Sequence, residues 1–113
     1  MSIPRPTALA VVNAQVDAFN DHDLTTFVGT YTEDAVITGV APEPIVGREA
    51  IIAFYAPRLE NPELSCEIDT TVLFGERWVV AQERVINAGV ATETIATFDV
   101  VDGLIQRASM LKA

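Results

Sequence analysis

The sequence predicts an α+β fold in which helices lie across a curved antiparallel sheet. Within residues 24–59 a short helix gives way to a strand and then to a new helix, an order typical of helices packed on a sheet. From residue 64 onward, apolar residues recur with period two between turn signals, which indicates four strands joined as hairpins. The 113 residues, 50% hydrophobic and 20% charged, predict one domain with one core.

Two helices are predicted before residue 32. Thr7 is a suitable N-cap for the first, which is expected to run to about Asn20. Its apolar residues form one stripe: Leu9, Val12, Val16 and Phe19. Gln15 lies at the edge of this stripe and is expected to point into any cavity that the helix covers. Asp23 can cap a second helix that ends near Tyr31.

A strand at Ala35 to Thr38 and a proline-containing loop precede the third helix. This helix begins after Gly47. Because Pro57 lacks an N–H and clashes with the preceding turn, the helix is expected to kink or end close to Ala56.

The second half of the chain reads as four strands. Alternation in the first of them predicts a shared face for Cys66, Ile68, Thr70, Val72 and Phe74. The next three are predicted over Trp78 to Asn87, Ala91 to Val101 and Leu104 to Leu111. Ala88-Gly89 and Asp102-Gly103 supply the turns between them.

Charge and motif content exclude several classes of function. A net charge of −9 argues against binding to nucleic acid or to anionic membranes. We expect a cytoplasmic protein, because no signal-peptide pattern opens the chain, no apolar run approaches the ~18 residues of a membrane helix, and a lone Cys66 suits a reducing compartment. Metal-ligand spacings and phosphate-binding glycine loops are missing from the sequence, so neither a metal nor a cofactor is expected.

Four segments together resemble a known family. They are Asn20-Asp21-His22-Asp23-Leu24, Tyr31-Thr32-Glu33-Asp34-Ala35-Val36, Gly47-Arg48-Glu49-Ala50-Ile51 and the stretch from Thr97 to Ile105. They resemble the SnoaL-like branch of the nuclear-transport-factor-2-like (NTF2-like) superfamily, which includes steroid Δ-isomerases and limonene-epoxide hydrolase. The resemblance implies a cone-shaped, cystatin-like fold whose sheet and helices enclose an apolar pocket, and it implies a homodimer.

The same resemblance argues against both named chemistries. Where steroid isomerases carry a tyrosine and two aspartates, this chain has Gln15, Gly39 and Ala96. The two aspartates of limonene-epoxide hydrolase correspond to Ile86 and Met110. The resemblance therefore implies a pocket without either catalytic set.

Glu83 is the strongest candidate for a catalytic group. One face of its strand carries Val79, Ala81, Glu83 and Val85, and the other carries Trp78, Val80, Gln82, Arg84 and Ile86. If Glu83 faces a cavity, desolvation should raise its pKa toward neutrality and suit it to proton transfer. The sequence leaves two alternatives open. Glu83 pairs with Arg107 or lies at a solvated edge, or the opposite face lines the pocket and Arg84 contacts the ligand.

Tyr31, Tyr55 and Gln15 are the remaining candidates for ligand contact. The tyrosine hydroxyls can hydrogen-bond a ligand carbonyl while their rings pack on apolar atoms. Two functions follow: a cofactor-independent isomerase, cyclase or dehydratase acting on a small apolar oxygenated compound, or a non-catalytic ligand-binding or dimerisation module. Because the strand from Trp78 to Ile86 is apolar on both faces, a homodimer through the sheet is expected.

Overall fold

A computed structural model describes residues 6–112 and confirms the α+β fold. Three helices pack on one side of a six-stranded sheet, which we term the helix-facing side, and the opposite side is the outer side. The elements in chain order are α1 (Ala8–Asn20), α2 (Leu24–Gly29), β1 (Tyr31–Thr38), β2 (Ile45–Val46), α3 (Arg48–Leu59), β3 (Leu64–Phe74), β4 (Trp78–Asn87), β5 (Val90–Val101) and β6 (Leu104–Lys112).

The strands are ordered β2-β1-β6-β5-β4-β3. The predicted succession of antiparallel hairpins from β3 to β6 is confirmed. The sheet is not wholly antiparallel, because β1 pairs with β6 in parallel. The sequence also gave no indication of β2, whose two residues pair with Val36 and Ile37 of β1.

A β-bulge changes the predicted face of β3. The register against β4 shifts between Ile68 and Thr70, so the alternation inverts there. Cys66 is buried on the helix-facing side, whereas Phe74 lies opposite Trp78 on the outer side and is 59% exposed. The predicted single apolar face is therefore wrong for the second half of this strand.

The helix caps agree with the sequence, but two helix ends do not. Thr7 accepts a hydrogen bond from the Ala10 N–H at 3.1 Å, as an N-cap does. The second helix ends at Gly29 with Thr30 as its C-cap, so Tyr31 begins β1 and does not belong to the helix; the Thr30 hydroxyl donates to the Phe27 carbonyl at 2.7 Å. The chain then enters β1 directly, and the Ile105 N–H donates to the Thr30 carbonyl at 2.8 Å.

The third helix continues through Pro57 to Leu59, so the expectation that it ends close to Ala56 is wrong. Pro57 is exposed and lies in the last turn, where the carbonyl that loses its donor belongs to the exposed Ala53 and can be hydrated. The Arg58 Nη1 additionally donates to the Phe54 carbonyl at 2.9 Å.

The core lies between the helices and the sheet. Phe27, Tyr31, Ile37, Phe98 and Ile105 are each 0% exposed, and they join α2 to strands from both halves of the sheet. No helix within residues 6–112 is long and apolar enough to span a membrane.

Candidate functional site

A cavity of about 280 Å³ lies between the three helices and the helix-facing side of the sheet. All three helices and strands β3 to β6 contribute to its walls. Large apolar side chains form most of its surface: Val16, Phe19, Phe27, Phe54, Leu64 and Met110. The cavity can therefore surround a small apolar molecule.

Glu83 lies in the sheet wall of this cavity and is 5% exposed. Strand alternation directs it to the same side as Val79 and Ala81, both 0% exposed. Its Oε1 accepts a hydrogen bond from the Cys66 Sγ at 3.6 Å, and its Oε2 has no partner among residues 6–112. Burial raises the pKa of Glu83 from 4.5 to about 7, and the weak Cys66 donor only partly offsets that effect.

Gln15 lines the cavity and is held there by Tyr31. The Gln15 Nε2 donates to the Tyr31 hydroxyl at 3.0 Å. Tyr31 is itself 0% exposed and lies in the core behind Gln15, outside the cavity lining. The backbone of Tyr31 is held in place by Arg48, whose Nε donates a hydrogen bond to the Tyr31 carbonyl at 3.0 Å. The structure therefore places Tyr31 as a support for Gln15, not at the cavity surface.

Tyr55 is the tyrosine that lines the cavity. It lies on α3, and its ring centroid is 4.6 Å from that of Phe27. Burial raises the pKa of the Tyr55 hydroxyl far above its ordinary value, so the group stays protonated and can act as a hydrogen-bond donor.

Arg84 does not belong to the cavity. It lies on the outer side of β4, where its Nη2 is 3.1 Å from Asp69 Oδ2 and 3.2 Å from Glu93 Oε1. The Glu67 carboxylate lies 3.4 Å from its Nη1. Val79 is buried on the helix-facing side, and alternation along β4 from that residue puts Arg84 on the outer side. The alternative in which the face of Arg84 lines the pocket is therefore wrong.

Three polar residues of the sheet wall were not predicted as site residues. Cys66 contacts Glu83, and Thr92 and Thr94 line the cavity from β5. Thr94 lies directly opposite Glu83 in the strand register. Counting back from the two-residue turn at Ala88-Gly89 would have found this pair, because such a turn fixes the register.

Asn20 ties the helix layer to this wall. Its Nδ2 donates to the Cys66 carbonyl at 2.9 Å, and its Oδ1 accepts from the Cys66 N–H at 2.7 Å. The end of α1 is thus fixed against β3 beside the residue that contacts Glu83.

Two cations complete the lining. Arg58 and Lys112 are exposed, so they mark where the cavity meets solvent. Neither was predicted as a site residue. The arrangement as a whole offers an apolar volume, hydrogen-bond donors at Tyr55 and Gln15, and a desolvated carboxyl group, which are the parts that proton transfer on a bound molecule requires.

Comparison with known proteins identifies relatives. A family model described as "SnoaL-like domain" matches residues 12–108. The chain is similar to a crystal structure of an uncharacterized cystatin-fold protein from Novosphingobium aromaticivorans, with 20% identity, a TM-score of 0.81 and coverage of 94% of this chain and 98% of that one. No curated protein sequence matches this chain.

Two further solved structures carry functional names. One is a proposed ketosteroid isomerase from Kribbella flavida, with 16% identity, a TM-score of 0.79 and coverage of 92% of this chain and 76% of that one. The other is a proposed polyketide cyclase from Sinorhizobium meliloti, with 22% identity, a TM-score of 0.74 and coverage of 89% and 93%. At these identities the similarity shows the fold alone.

Proposed function

This chain belongs to the SnoaL-like domain family, and from that premise we propose that it binds a small, mostly apolar, oxygenated compound and performs cofactor-independent acid–base chemistry on it. The reaction would be of isomerase, cyclase or dehydratase type. Neighbours of the same fold that are named as an isomerase and a polyketide cyclase support this class of reaction.

The observation that carries the proposal is the environment of Glu83. Among residues 6–112 it is the one acidic residue in the cavity lining, it is 5% exposed, and its Oε2 lacks a partner. A pKa of about 7 leaves comparable amounts of both protonation states near neutral pH. A carboxyl group in that condition can both accept and return a proton.

The proposed step is a proton transfer within the bound compound. The Glu83 carboxylate removes a proton from a carbon beside a carbonyl, and the C–H electron pair moves into the enolate. The resulting carboxylic acid protonates the far end of a carbon–carbon double bond conjugated to the enolate, which moves that double bond without a net change in atoms. In D₂O the carboxyl proton exchanges with solvent before it is returned, so reprotonation beside the carbonyl introduces deuterium there. Tyr55 and Gln15 would donate hydrogen bonds to the enolate oxygen, and Tyr31 would orient Gln15.

One observation favours a second function, a non-catalytic ligand-binding module. At the positions where the resemblance implies the two isomerase aspartates, the chain has Gly39 and Ala96. An ideal Cβ at Gly39 would lie 1.8 Å from the Met110 carbonyl oxygen, so this backbone has no space for a side chain there. In this alternative the cavity holds a ligand and Glu83 only contributes polarity.

Deuterium exchange distinguishes the two functions. Steroids, polyketides and terpenoid alcohols would first be screened for thermal stabilisation of the protein, and the carbonyl compounds among the hits would be incubated with it in D₂O. We expect deuterium to enter beside the carbonyl, as measured by mass spectrometry. Glu83→Gln should slow this exchange by roughly 10²-fold or more.

Glu63→Gln is the matched control, since it removes an exposed carboxylate from the loop before β3. It should exchange at the wild-type rate. Unchanged exchange in Glu83→Gln would overturn the catalytic role. Stabilisation without exchange in the wild-type protein would favour the non-catalytic module.

A further inference from the structure

The charge of the cavity lining is opposite to that of the molecule. The chain carries a net charge of −9. Of the residues between 6 and 112 that line the cavity, however, Arg58 and Lys112 are cationic and Glu83 alone is acidic. A surface with an excess of cations in an acidic protein concentrates anions locally and repels them elsewhere.

Arg58 is held at the solvent side of the cavity by a neighbour that also lines it. Its guanidinium carbon lies 3.5 Å from the centroid of the Phe54 ring, and its Nη1 donates to the Phe54 carbonyl at 2.9 Å. Stacking on an aromatic ring fixes the guanidinium plane while leaving most of its five N–H donors free to bind an anion.

Lys112 approaches the cavity from β6. It lies opposite Thr94 on β5, and Thr94 lies opposite Glu83 on β4. Neighbouring strands are about 4.8 Å apart, so the backbone positions of Lys112 and Glu83 are separated by about 10 Å. One small molecule can span that separation.

We propose that the compound bound in this cavity carries a carboxylate at its solvent end, held by Arg58 and Lys112, while its apolar body reaches Glu83. The proposal rests on the proposed function and specifies its substrate class. The orientation follows from electrostatics, because a ligand carboxylate placed at depth would lose its hydration and lie beside the Glu83 carboxyl, whereas beside the exposed lining residues it stays hydrated and is attracted by the positive charges of Arg58 and Lys112.

A matched pair of probes tests the proposal. 4-Phenylbutanoate and 4-phenylbutanol share one carbon skeleton and differ in the charged head, and their binding can be measured by calorimetry at about pH 6, where the carboxylate is ionised. We expect the carboxylate to bind roughly fivefold or more tightly than the alcohol. Raising the salt concentration should weaken binding of the carboxylate only.

Substitutions locate the source of the preference. Arg58→Gln and Lys112→Gln should each weaken carboxylate binding roughly two- to fivefold and leave alcohol binding unchanged. Arg58→Lys should retain part of the preference, which a role in packing on Phe54 alone would not produce. Arg107→Gln, which removes an exposed cation from the outer side, should have no effect.

The outcomes separate this proposal from the one before it. Equal affinity for both probes, or a carboxylate preference that persists in the Arg58→Gln, Lys112→Gln double variant, would overturn the anionic substrate and leave the binding function in place. Failure of the wild-type protein to bind either probe would overturn the carboxylate site, whereas the deuterium-exchange experiment decides the acid–base function separately.

Discussion

Glu83 shows how a single residue can stand out in a sequence and still depend on its surroundings for its chemistry. Its position in a row of small apolar residues follows from period-two alternation, which the sequence displays. The weak hydrogen bonding of its carboxyl group cannot be inferred from that alternation, because the donor, Cys66, lies on another strand, 3.6 Å from Oε1. Burial raises the pKa of Glu83, and the Cys66 donor on β3 only partly offsets that rise, so the direction of the shift alone was predictable from β4.

Burial of Glu83 should make the stability of the protein depend on pH in a defined window. The folded protein retains the Glu83 proton up to a pKa of about 7, whereas the unfolded chain releases it near 4.5. Between these values the unfolded state binds fewer protons, so the free energy of unfolding decreases as pH rises, by about 3 kcal/mol in all. Glu83→Gln should therefore gain about 3 kcal/mol relative to wild type between about pH 4 and about pH 8. Urea unfolding across that range measures it.

Glu63→Gln provides the control for this measurement, since its carboxylate is exposed. Its unfolding free energy should follow the wild-type pH profile. A Glu83→Gln profile that also runs parallel to wild type would mean that the carboxyl group is hydrated in the folded protein, and the acid–base proposal would lose its basis.

At the scale of the strands, β-bulges decide which residues form the site. The turn at Asp102-Gly103 pairs Val101 with Leu104, and an uninterrupted register from there would place Leu111 opposite Thr94. The shift between Asp99 and Val100 instead places Lys112 opposite Thr94. Lys112 could not be predicted as a cavity residue, because no residue type at the bulge indicates that the register shifts there. Thr94 could have been predicted, because the register runs without a bulge from the Ala88-Gly89 turn to Thr94.

Tyr31 and Arg84, which were predicted as ligand contacts, lie outside the cavity lining for related reasons. Tyr31 was assigned to a helix end, but it begins β1, where its carbonyl is bound by Arg48 and its ring enters the core. Arg84 depended on strand parity, which only the burial of its neighbours decides. In both cases the sequence specified the element and tertiary packing specified the direction of the side chain.

The close approach of β1 and β6 should make Gly39 irreplaceable. Gly39 has φ +89°, and a Cβ there would overlap the Met110 carbonyl oxygen at 1.8 Å. Gly39→Ala should therefore lower the free energy of unfolding by more than about 2 kcal/mol, since both the backbone conformation and the strand spacing must change. Equilibrium unfolding in urea measures the loss.

Gly29 supplies the matched control for that substitution. It lies in α2, and a Cβ there would meet nothing within 4 Å. Gly29→Ala should increase the free energy of unfolding by roughly 0.4–1 kcal/mol, because alanine restricts the unfolded chain. If both substitutions had the same small effect, the contact between Gly39 and Met110 would not constrain the fold.

At the scale of the whole molecule, the outer side of the sheet remains uncovered within residues 6–112. Five large apolar side chains there are between 37% and 67% exposed: Val72, Phe74, Trp78, Ile95 and Leu111. We term this set the outer patch. Arg84 and its three acidic partners lie beside it and form a polar border. An apolar centre with a charged margin is the usual composition of a protein–protein interface.

We therefore propose that two copies of the chain associate through their outer patches, as the apolar character of both faces of β4 predicts. A self-complementary apolar surface favours a symmetric pair, since the same patch serves both partners. Light scattering after size exclusion should give twice the chain mass of 12.2 kDa.

Ile95→Glu, at a side chain 43% exposed, should give the single-chain mass with the fold intact, because burying the new carboxylate at an interface is costly and hydrating it on a monomer is not. Val90→Glu adds the same charge to the same strand at a position outside the outer patch and should remain dimeric. A wild-type protein of single-chain mass, or a dimer that survives Ile95→Glu, would show that the outer patch is not the surface through which two copies meet.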